Sequence, residues 1–484
     1  MTLPILPGFY PDPSICRVGE TYYLANSTFE YVPGVPIHRS DDLLSWELIG
    51  HALPDAEVVN AEPGSGGASQ GIFAPTLRHH DGLFFLTTTS IRDVGRGQLI
   101  VTATDPAGPW SAPVYVPDTP GIDPDLAWAE DGTCLLTWRG FAPSGIHQVA
   151  IDPITGERLG EETMLWEGTG LADTEGPHLF RRGDWWYLVV AEGGTHLGHG
   201  VSIARSRDPR GPFDAHPANP IFSHRSLEHD VQATGHPDLV ELADGSWAMV
   251  YLGIRPAGAF PRFHVNGRET FLAGISWQDD WPVVDEDRFD VPTTATAFDD
   301  RFDADALHPR WIAPSIPPAS VATPGGALTP SRTPDETDGL AVLATRVRDL
   351  AWNARAAFTG DACLGIRISG SHWYGVESIG DVIRVRAVVG PLAQVVITAS
   401  SEDGDVLAIR SRREVVLHDN TRGPDDVFLG VERSGAFVEL AGLDGRYIST
   451  EVAGGFTGRM LTVEALAEGV SVTRVGYEPA PANG

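Results

Sequence analysis

The sequence contains no lysine, so all 34 of its basic residues are arginines. Without lysine the chain can form neither the phosphate-binding P-loop of nucleotide hydrolases nor the Schiff base of pyridoxal phosphate enzymes. Acidic residues are nearly twice as numerous, and the formal net charge is −31. A surface this acidic repels nucleic acids and anionic membranes, so we expect neither as a partner.

Cysteine is scarce as well, with three scattered thiols at Cys16, Cys134 and Cys363. An odd, widely spaced set is typical of neither a disulfide framework nor a zinc site. The start of the sequence shows no basic segment followed by an apolar run, and no stretch reaches the ~20 apolar residues of a membrane span. We therefore expect a cytoplasmic location, unless a leader has been removed.

Helical periodicity is almost absent, whereas glycine (54) and proline (38) are abundant. This combination predicts an all-β fold with many turns between short strands. At 484 residues the chain is long enough for two domains.

A repeated unit divides the first part of the sequence. A strand-like apolar run preceded by a Gly or Asp-Gly turn occurs five times, and about ten residues before each run stands Pro, any residue, then Ile or Leu. The unit recurs every 49 to 62 residues, and propeller blades need ~40–50 residues. We predict a five-bladed β-propeller over residues 1–295, with a pair of β-sandwiches as the alternative.

From Phe298 the pattern changes to a Pro- and Gly-rich stretch followed by short alternating strands. These features predict a β-sandwich accessory domain over residues 296–484. The sequence leaves open whether the protein forms a homo-oligomer.

The repeat also predicts a site. The residues directly before the five repeated prolines are Asp12, Ala74, Asp123, Gly176 and His236, and blade four carries its acid one position earlier, at Glu175. Equivalent positions of the innermost strands converge on the axis of a propeller. Asp before Pro is also a common turn residue, but the shared register favours a site in which the three carboxylates and the imidazole meet. Such a set suits acid–base hydrolysis, as in glycosidases.

Several segments of the sequence resemble glycoside hydrolase family 43, especially its two-domain β-xylosidases. They are GFYPDPSI, GIFAPTL, GIDPDLAW, TEGPHLF, TGHPDLVE and NGRET. The resemblance implies a five-bladed propeller, net inversion, and β-xylosidase, α-L-arabinofuranosidase or arabinanase activity. It also implies roles for the three acids: Asp12 as general base, Asp123 as the carboxylate that modulates pKa, and Glu175 as general acid. Asp125 departs from the small residue expected there.

The same resemblance suggests residues that bind substrate. Phe29 and Phe73 would wall the sugar pocket, although Phe73 stands where Trp is usual, and Arg268 would contact substrate and base. Phe456, in the segment GGFTG, would reach from the second domain into the pocket mouth, with a place in the sandwich core as the alternative. His236 would lie near the channel centre, where the family sometimes holds a structural Ca²⁺. No cofactor is required, and the metal content is left unknown.

We therefore expect an inverting, exo-acting glycoside hydrolase that releases xylose from short β-1,4-xylo-oligosaccharides. The alternatives are an α-L-arabinofuranosidase, an endo-arabinanase and a non-catalytic sugar-binding propeller. Retention of all three carboxylates argues against the non-catalytic propeller, and the pocket aromatics argue against an endo-acting enzyme. The pattern does not separate xylose from arabinose.

Overall fold

The computed structural model describes residues 2–64, 66–339, 341–413 and 421–481, so the two ends of the predicted domains, Met1 and 482–484, lie outside it. Regular structure is almost entirely β-strand. The helices of the described residues are short: α-helices Ala56–Val59 and Thr450–Ala453, and 3-10 turns Ile91–Arg96, Pro318–Ser320 and Gly445–Ile448. Within these ranges no helix has the length and apolar character needed to cross a membrane.

The first half of the chain forms five four-stranded antiparallel sheets, the blades, which follow one another in sequence. From first to last strand they are Ser14–Val18, Thr21–Ala25, Gly34–Ser40 and Glu47–Leu53; Thr76–His80, Leu83–Thr88, Gln98–Ala103 and Val114–Val116; Gly121–Trp128, Cys134–Phe141, Ser144–Ile151 and Thr163–Trp166; Glu175–Arg182, Trp185–Glu192, Gly200–Ser206 and Asp214–Ala215; Gln232–Glu241, Trp247–Ile254, Glu269–Gln278 and Trp281–Asp285. The repeated prolines lie at or within the inner strands, and the apolar runs form the second strands. The predicted all-β propeller fold is confirmed.

The core of the propeller lies between neighbouring blades, because each sheet buries both faces. Between blades four and five, for example, Tyr187, Met249 and Phe271 belong to one fully buried cluster. Burying each such side chain contributes roughly 1.5–3 kcal/mol. The ring closes where the inner strand of blade five meets that of blade one, with the Ile15 amide donating to Asp238 Oδ2 at 3.0 Å.

The second half of the chain is the predicted β-sandwich, made of two six-stranded sheets. In spatial order their strands are Phe298–Asp300, Ser471–Pro479, Trp352–Thr359, Val406–Arg412, Asp426–Arg433 and Ala436–Asp444; and Leu343–Arg346, Met460–Ala465, Ala362–Ser369, His372–Ile379, Val382–Val389 and Leu392–Ser400. Their facing sides enclose one large apolar cluster that includes Trp311 and Trp352. The predicted boundary at residues 295 and 296 falls between Asp285 and Phe298, where the structure has no strand.

The two domains share an interface. Strand Tyr31–Val32 of the propeller pairs with strand Ala313–Pro314, which precedes the sandwich strands. Beside this pair, Phe9 and Phe29 pack against Met460 of the sandwich. The sandwich therefore packs against the part of blade one that leads to the predicted site.

Candidate active site

An unusual backbone conformation marks the residue before the repeated proline in four of the five blades. Asp12, Asp123, Gly176 and His236 have positive φ angles of 52°, 56°, 56° and 47°. For a residue other than glycine this region costs of order 1–3 kcal/mol. In blades three, four and five it coincides with a shift in strand register. Such bulges re-aim side chains, so the fold expends stability to turn these residues towards one place.

That place is a cavity of about 300 Å³ at one mouth of the propeller. All eight predicted site residues line it. They are Asp12, Phe29, Phe73, Asp123, Glu175, His236, Arg268 and Phe456.

Asp12 is buried and held from several sides. Arg268 donates to its Oδ1 at 2.9 Å and to its Oδ2 at 3.4 Å, and Ser27 donates a short hydrogen bond to Oδ2. His236 Nδ1 lies 3.7 Å from Oδ1. Arg268 is itself positioned by a 3.0 Å bond to the Thr195 hydroxyl. This buried pair replaces the surface ion pair that Arg268 could equally have made.

Asp123 and Glu175 lie together opposite these groups. The Gly176 amide donates to Asp123 Oδ2 at 3.1 Å, and potential metal-binding atoms of Asp123, Glu175 and His236 fall within 4.8 Å of one another. Burial raises the pKa of Asp123 well above its ordinary value, and the nearby Glu175 carboxylate adds to this. Burial likewise raises the pKa of Glu175 to about 7, against the opposing charge of Arg139. A carboxylic acid in this state can donate a proton near neutral pH.

The structure explains why blade four carries its acid one residue early. Gly176 occupies the repeat position, and a Cβ there would lie 3.0 Å from the His236 ring. Its φ of +56° also favours glycine. The side chain that faces the cavity is therefore supplied by the preceding residue, Glu175.

Three phenylalanines form one wall of the cavity. The ring of Phe29 lies 5.3 Å from that of Phe73 and 5.5 Å from that of Phe456, centroid to centroid. The Phe456 ring also lies beneath the Arg268 guanidinium at 5.2 Å. Phe456 is thus in contact with the propeller site rather than within the sandwich core.

The loop that carries Phe456 approaches the propeller backbone closely. The Phe456 amide donates to Ser69 Oγ at 2.7 Å. A Cβ on Gly455, whose φ is +83°, would come within 2.5 Å of the Gly67 carbonyl oxygen. Glycine at 455 therefore permits the contact that brings an aromatic ring of the second domain into the cavity.

The propeller axis beyond the cavity holds a buried ion network. Arg78 pairs with Asp125 at 2.7 Å and with Asp238 at 2.8 Å, and its Nη2 lies 2.9 Å from His178 Nδ1. Asp125, the departure noted in the sequence, faces this network and is not among the residues that line the cavity. His178 likewise belongs to the axis rather than to a loop.

This arrangement bears on the calcium site that the resemblance allows near His236. Calcium takes six to eight oxygen ligands, whereas the group formed by Asp123, Glu175 and His236 offers only two carboxylates beside a nitrogen. The axial carboxylates Asp125 and Asp238 are already paired with Arg78. This donor set does not fit calcium.

Sequence reasoning missed two charged residues of the cavity, Arg139 and Asp173, which pair at 3.0 Å. Asp173 lies two residues before Glu175 and Arg139 on the second strand of blade three. Neither is in the repeat register, and the only available signal was the proximity of Asp173 to the acid in sequence. Their charges act on Glu175 in opposite directions.

Comparison with known proteins supports these observations. A sequence model of glycosyl hydrolases family 43 matches residues 1–282. A xylosidase/arabinosidase of Butyrivibrio fibrisolvens is 43% identical over 312 residues, which are 60% of this chain and 59% of that protein. A non-reducing end alpha-L-arabinofuranosidase of Bacteroides ovatus is 44% identical over 289 residues, 59% of this chain and 53% of that protein.

The alignments therefore span between half and two thirds of the length of these two relatives. Among solved structures, a xylan beta-1,4-xylosidase from Bacillus halodurans superposes with a TM-score of 0.85 at 26% identity, covering 99% of this chain and 100% of the other. The likeness thus extends over both domains. Since the family match covers more than half of the sequence and includes all three carboxylates, the chain belongs to glycosyl hydrolases family 43.

Proposed function

We propose that this protein is an inverting, exo-acting glycoside hydrolase that removes one terminal pentose at a time. The observation that carries the proposal is the meeting of three carboxylates in one small, aromatic-walled cavity. Our first candidate activity is that of a β-xylosidase on short β-1,4-xylo-oligosaccharides. The second is that of an α-L-arabinofuranosidase, because the names of similar proteins include both activities.

The shape of the cavity favours exo action. Its volume of about 300 Å³ is at the small end of the range for ligand pockets. Phe456 reaches into the cavity from the second domain, which limits the room for a chain that continues past the terminal sugar. An endo-acting arabinanase needs a cleft that is open at both ends.

In this proposal Glu175 is the general acid. Its carboxyl group, with a pKa raised by burial to about 7, donates a proton to the glycosidic oxygen as the bond breaks. Asp123 adds a neighbouring carboxylate and accepts a hydrogen bond from the backbone next to the acid. Its role is to hold and tune Glu175.

Asp12 is the general base. It takes a proton from a water molecule, and that water attacks the anomeric carbon on the face opposite the leaving oxygen. Arg268 and Ser27 orient its carboxylate through hydrogen bonds to both oxygens. The product is a free sugar of inverted anomeric configuration.

The proposal is tested with paired substrates. We expect turnover of nitrophenyl β-xyloside, nitrophenyl α-L-arabinofuranoside or both, and proton NMR of the first sugar released from a natural oligosaccharide should show the inverted anomer. A retained anomer would exclude Asp12 as base. Absence of turnover on every pentoside, with sugar binding intact, would favour the non-catalytic propeller.

The raised pKa of Glu175 sets the expected pH dependence. The acid acts only when protonated, so kcat/KM should be full below its pKa and fall as pH rises through about 7. A rate profile from pH 5 to 9 measures this limb. Removing the opposing charge in Arg139→Met should move the limb to higher pH; an unchanged limb would separate it from Glu175.

Phe456→Ala tests the part played by the second domain. Because the ring packs on Phe29 and Phe73 rather than in the sandwich core, we expect KM for xylobiose to rise by up to about tenfold, the equivalent of one aromatic contact. Selectivity between short and long oligosaccharides should weaken, while Tm stays nearly constant. A loss of ~3–5 kcal/mol in stability with unchanged chain-length preference would instead identify Phe456 as a core residue.

A further inference from the structure

A second group of ionisable side chains lies outside the cavity and takes no part in the proposed reaction. His224 and His229 belong to the segment that connects blade four to blade five, and Glu286 directly follows the outermost strand of blade five. Potential metal-binding atoms of these three side chains all lie within 4.8 Å of one another. None of the three is a cavity residue.

Hydrogen bonds orient two of the three groups. His224 Nδ1 lies 2.8 Å from the Val231 carbonyl oxygen, which can only accept, so this nitrogen carries a hydrogen. His224 Nε2 then faces Glu286 Oε2 at 2.9 Å, and the Tyr251 hydroxyl donates to the other carboxylate oxygen at 3.0 Å. Metal-bound histidines are typically held in this way, through a bond from the second ring nitrogen to a carbonyl.

The contact between His224 and Glu286 requires a positive charge. If the imidazole is neutral, the lone pair of Nε2 points at a carboxylate oxygen, which is a repulsive pairing of two acceptors. Either a proton or a metal ion must lie between them. His224 is buried and the Glu286 side chain 27% exposed, so an ion could enter from the Glu286 side.

His229 supplies the third ligand. Its ring centroid lies 4.0 Å from that of His224, and its Nδ1 is 3.1 Å from both the amide nitrogen and the carbonyl oxygen of Val231. The Gln232 side chain donates to the His229 carbonyl at 2.9 Å. The backbone that carries this histidine is therefore anchored next to the other two groups.

We infer that His224, His229 and Glu286 form a zinc site. Two imidazoles and one carboxylate, with a fourth position for water, are a zinc-type donor set, and the nitrogen ligands disfavour calcium. Zinc ligands about 2.1 Å from the metal in a tetrahedron stand roughly 3.4 Å apart. Replacing the proton with zinc requires the 2.9 Å separation of His224 Nε2 and Glu286 Oε2 to widen by about half an ångström. Bound zinc would tie the connecting segment to the outer strand of the last blade.

The experiment is a titration of the chelator-treated full chain with Zn²⁺ by isothermal calorimetry, with Tm recorded alongside. We expect one tight site and a Tm raised by a few degrees. The same titration with Co²⁺ should give the visible absorption of a four-coordinate ion, and Ca²⁺ should leave Tm unchanged. His229→Ala should abolish the tight site and the Tm shift, while its Tm without metal stays close to that of the wild type.

Two control variants complete the design. His372→Ala removes a partly exposed histidine of the sandwich and should leave zinc binding unchanged. Glu175→Gln removes a carboxylate of the other three-residue group and should also leave it unchanged. If zinc binding persists in His229→Ala but disappears in Glu175→Gln, the ion binds in the catalytic cavity and the inference is wrong. Absence of a tight site in the wild-type protein would overturn it as well.

Discussion

Replacing Glu175 by alanine should lower kcat/KM for xylobiose or a natural arabinoside by about 10²–10⁴-fold, the range for loss of a general acid. The natural leaving group is a sugar alkoxide, which cannot depart without a proton. A nitrophenolate leaves readily without one. We therefore expect a loss on nitrophenyl substrates that is at least tenfold smaller, measured as kcat/KM for one series of leaving groups.

This pattern separates an acid from a residue that only shapes the cavity. A shape defect would affect both kinds of substrate alike, because they place the same sugar in the same place. Equal losses across the leaving groups would remove Glu175 from the role. The variant should also lose the decline of activity near pH 7, since that limb follows the pKa of the missing carboxyl group.

Asp12→Ala should lower kcat by a similar ~10²–10⁴-fold, but to the same extent for every leaving group. Water must be activated whatever departs, so a better leaving group cannot compensate for the missing base. The measurement is the same substrate series, together with Tm. A variant that regains activity on nitrophenyl substrates would show that Asp12 acts on the leaving group instead.

Stability must be separated from catalysis in this variant, because the substitution leaves the buried Arg268 without its partner. Asp405→Ala is a matched control. It breaks another close carboxylate–arginine pair, with Arg433 at 2.8 Å in the sandwich, far along the chain from the three acids. We expect that variant to lose stability while keeping its kcat.

The sequence alone determined the architecture and the three acids. Each repeat forms one blade, and rotation about the propeller axis brings equivalent inner-strand positions together. The shared register of Asp12, Asp123 and His236 was therefore enough to assign them to one site. Even the offset of Glu175 was visible in the sequence, although its cause, the packing of Gly176 against His236, was not.

Other features were decided by tertiary structure, because they join segments that no repeat relates. The direction of Asp125 depends on Arg78, which reaches the axis from blade two. The pairing of Arg139 with Asp173 joins a strand of one blade to the loop before the next. Phe456 could have packed inside the sandwich until the contact of Gly455 with Gly67 put its ring against Phe29. Periodicity predicts which residues are equivalent, whereas contacts between non-equivalent segments depend on side-chain packing and charge in the folded chain.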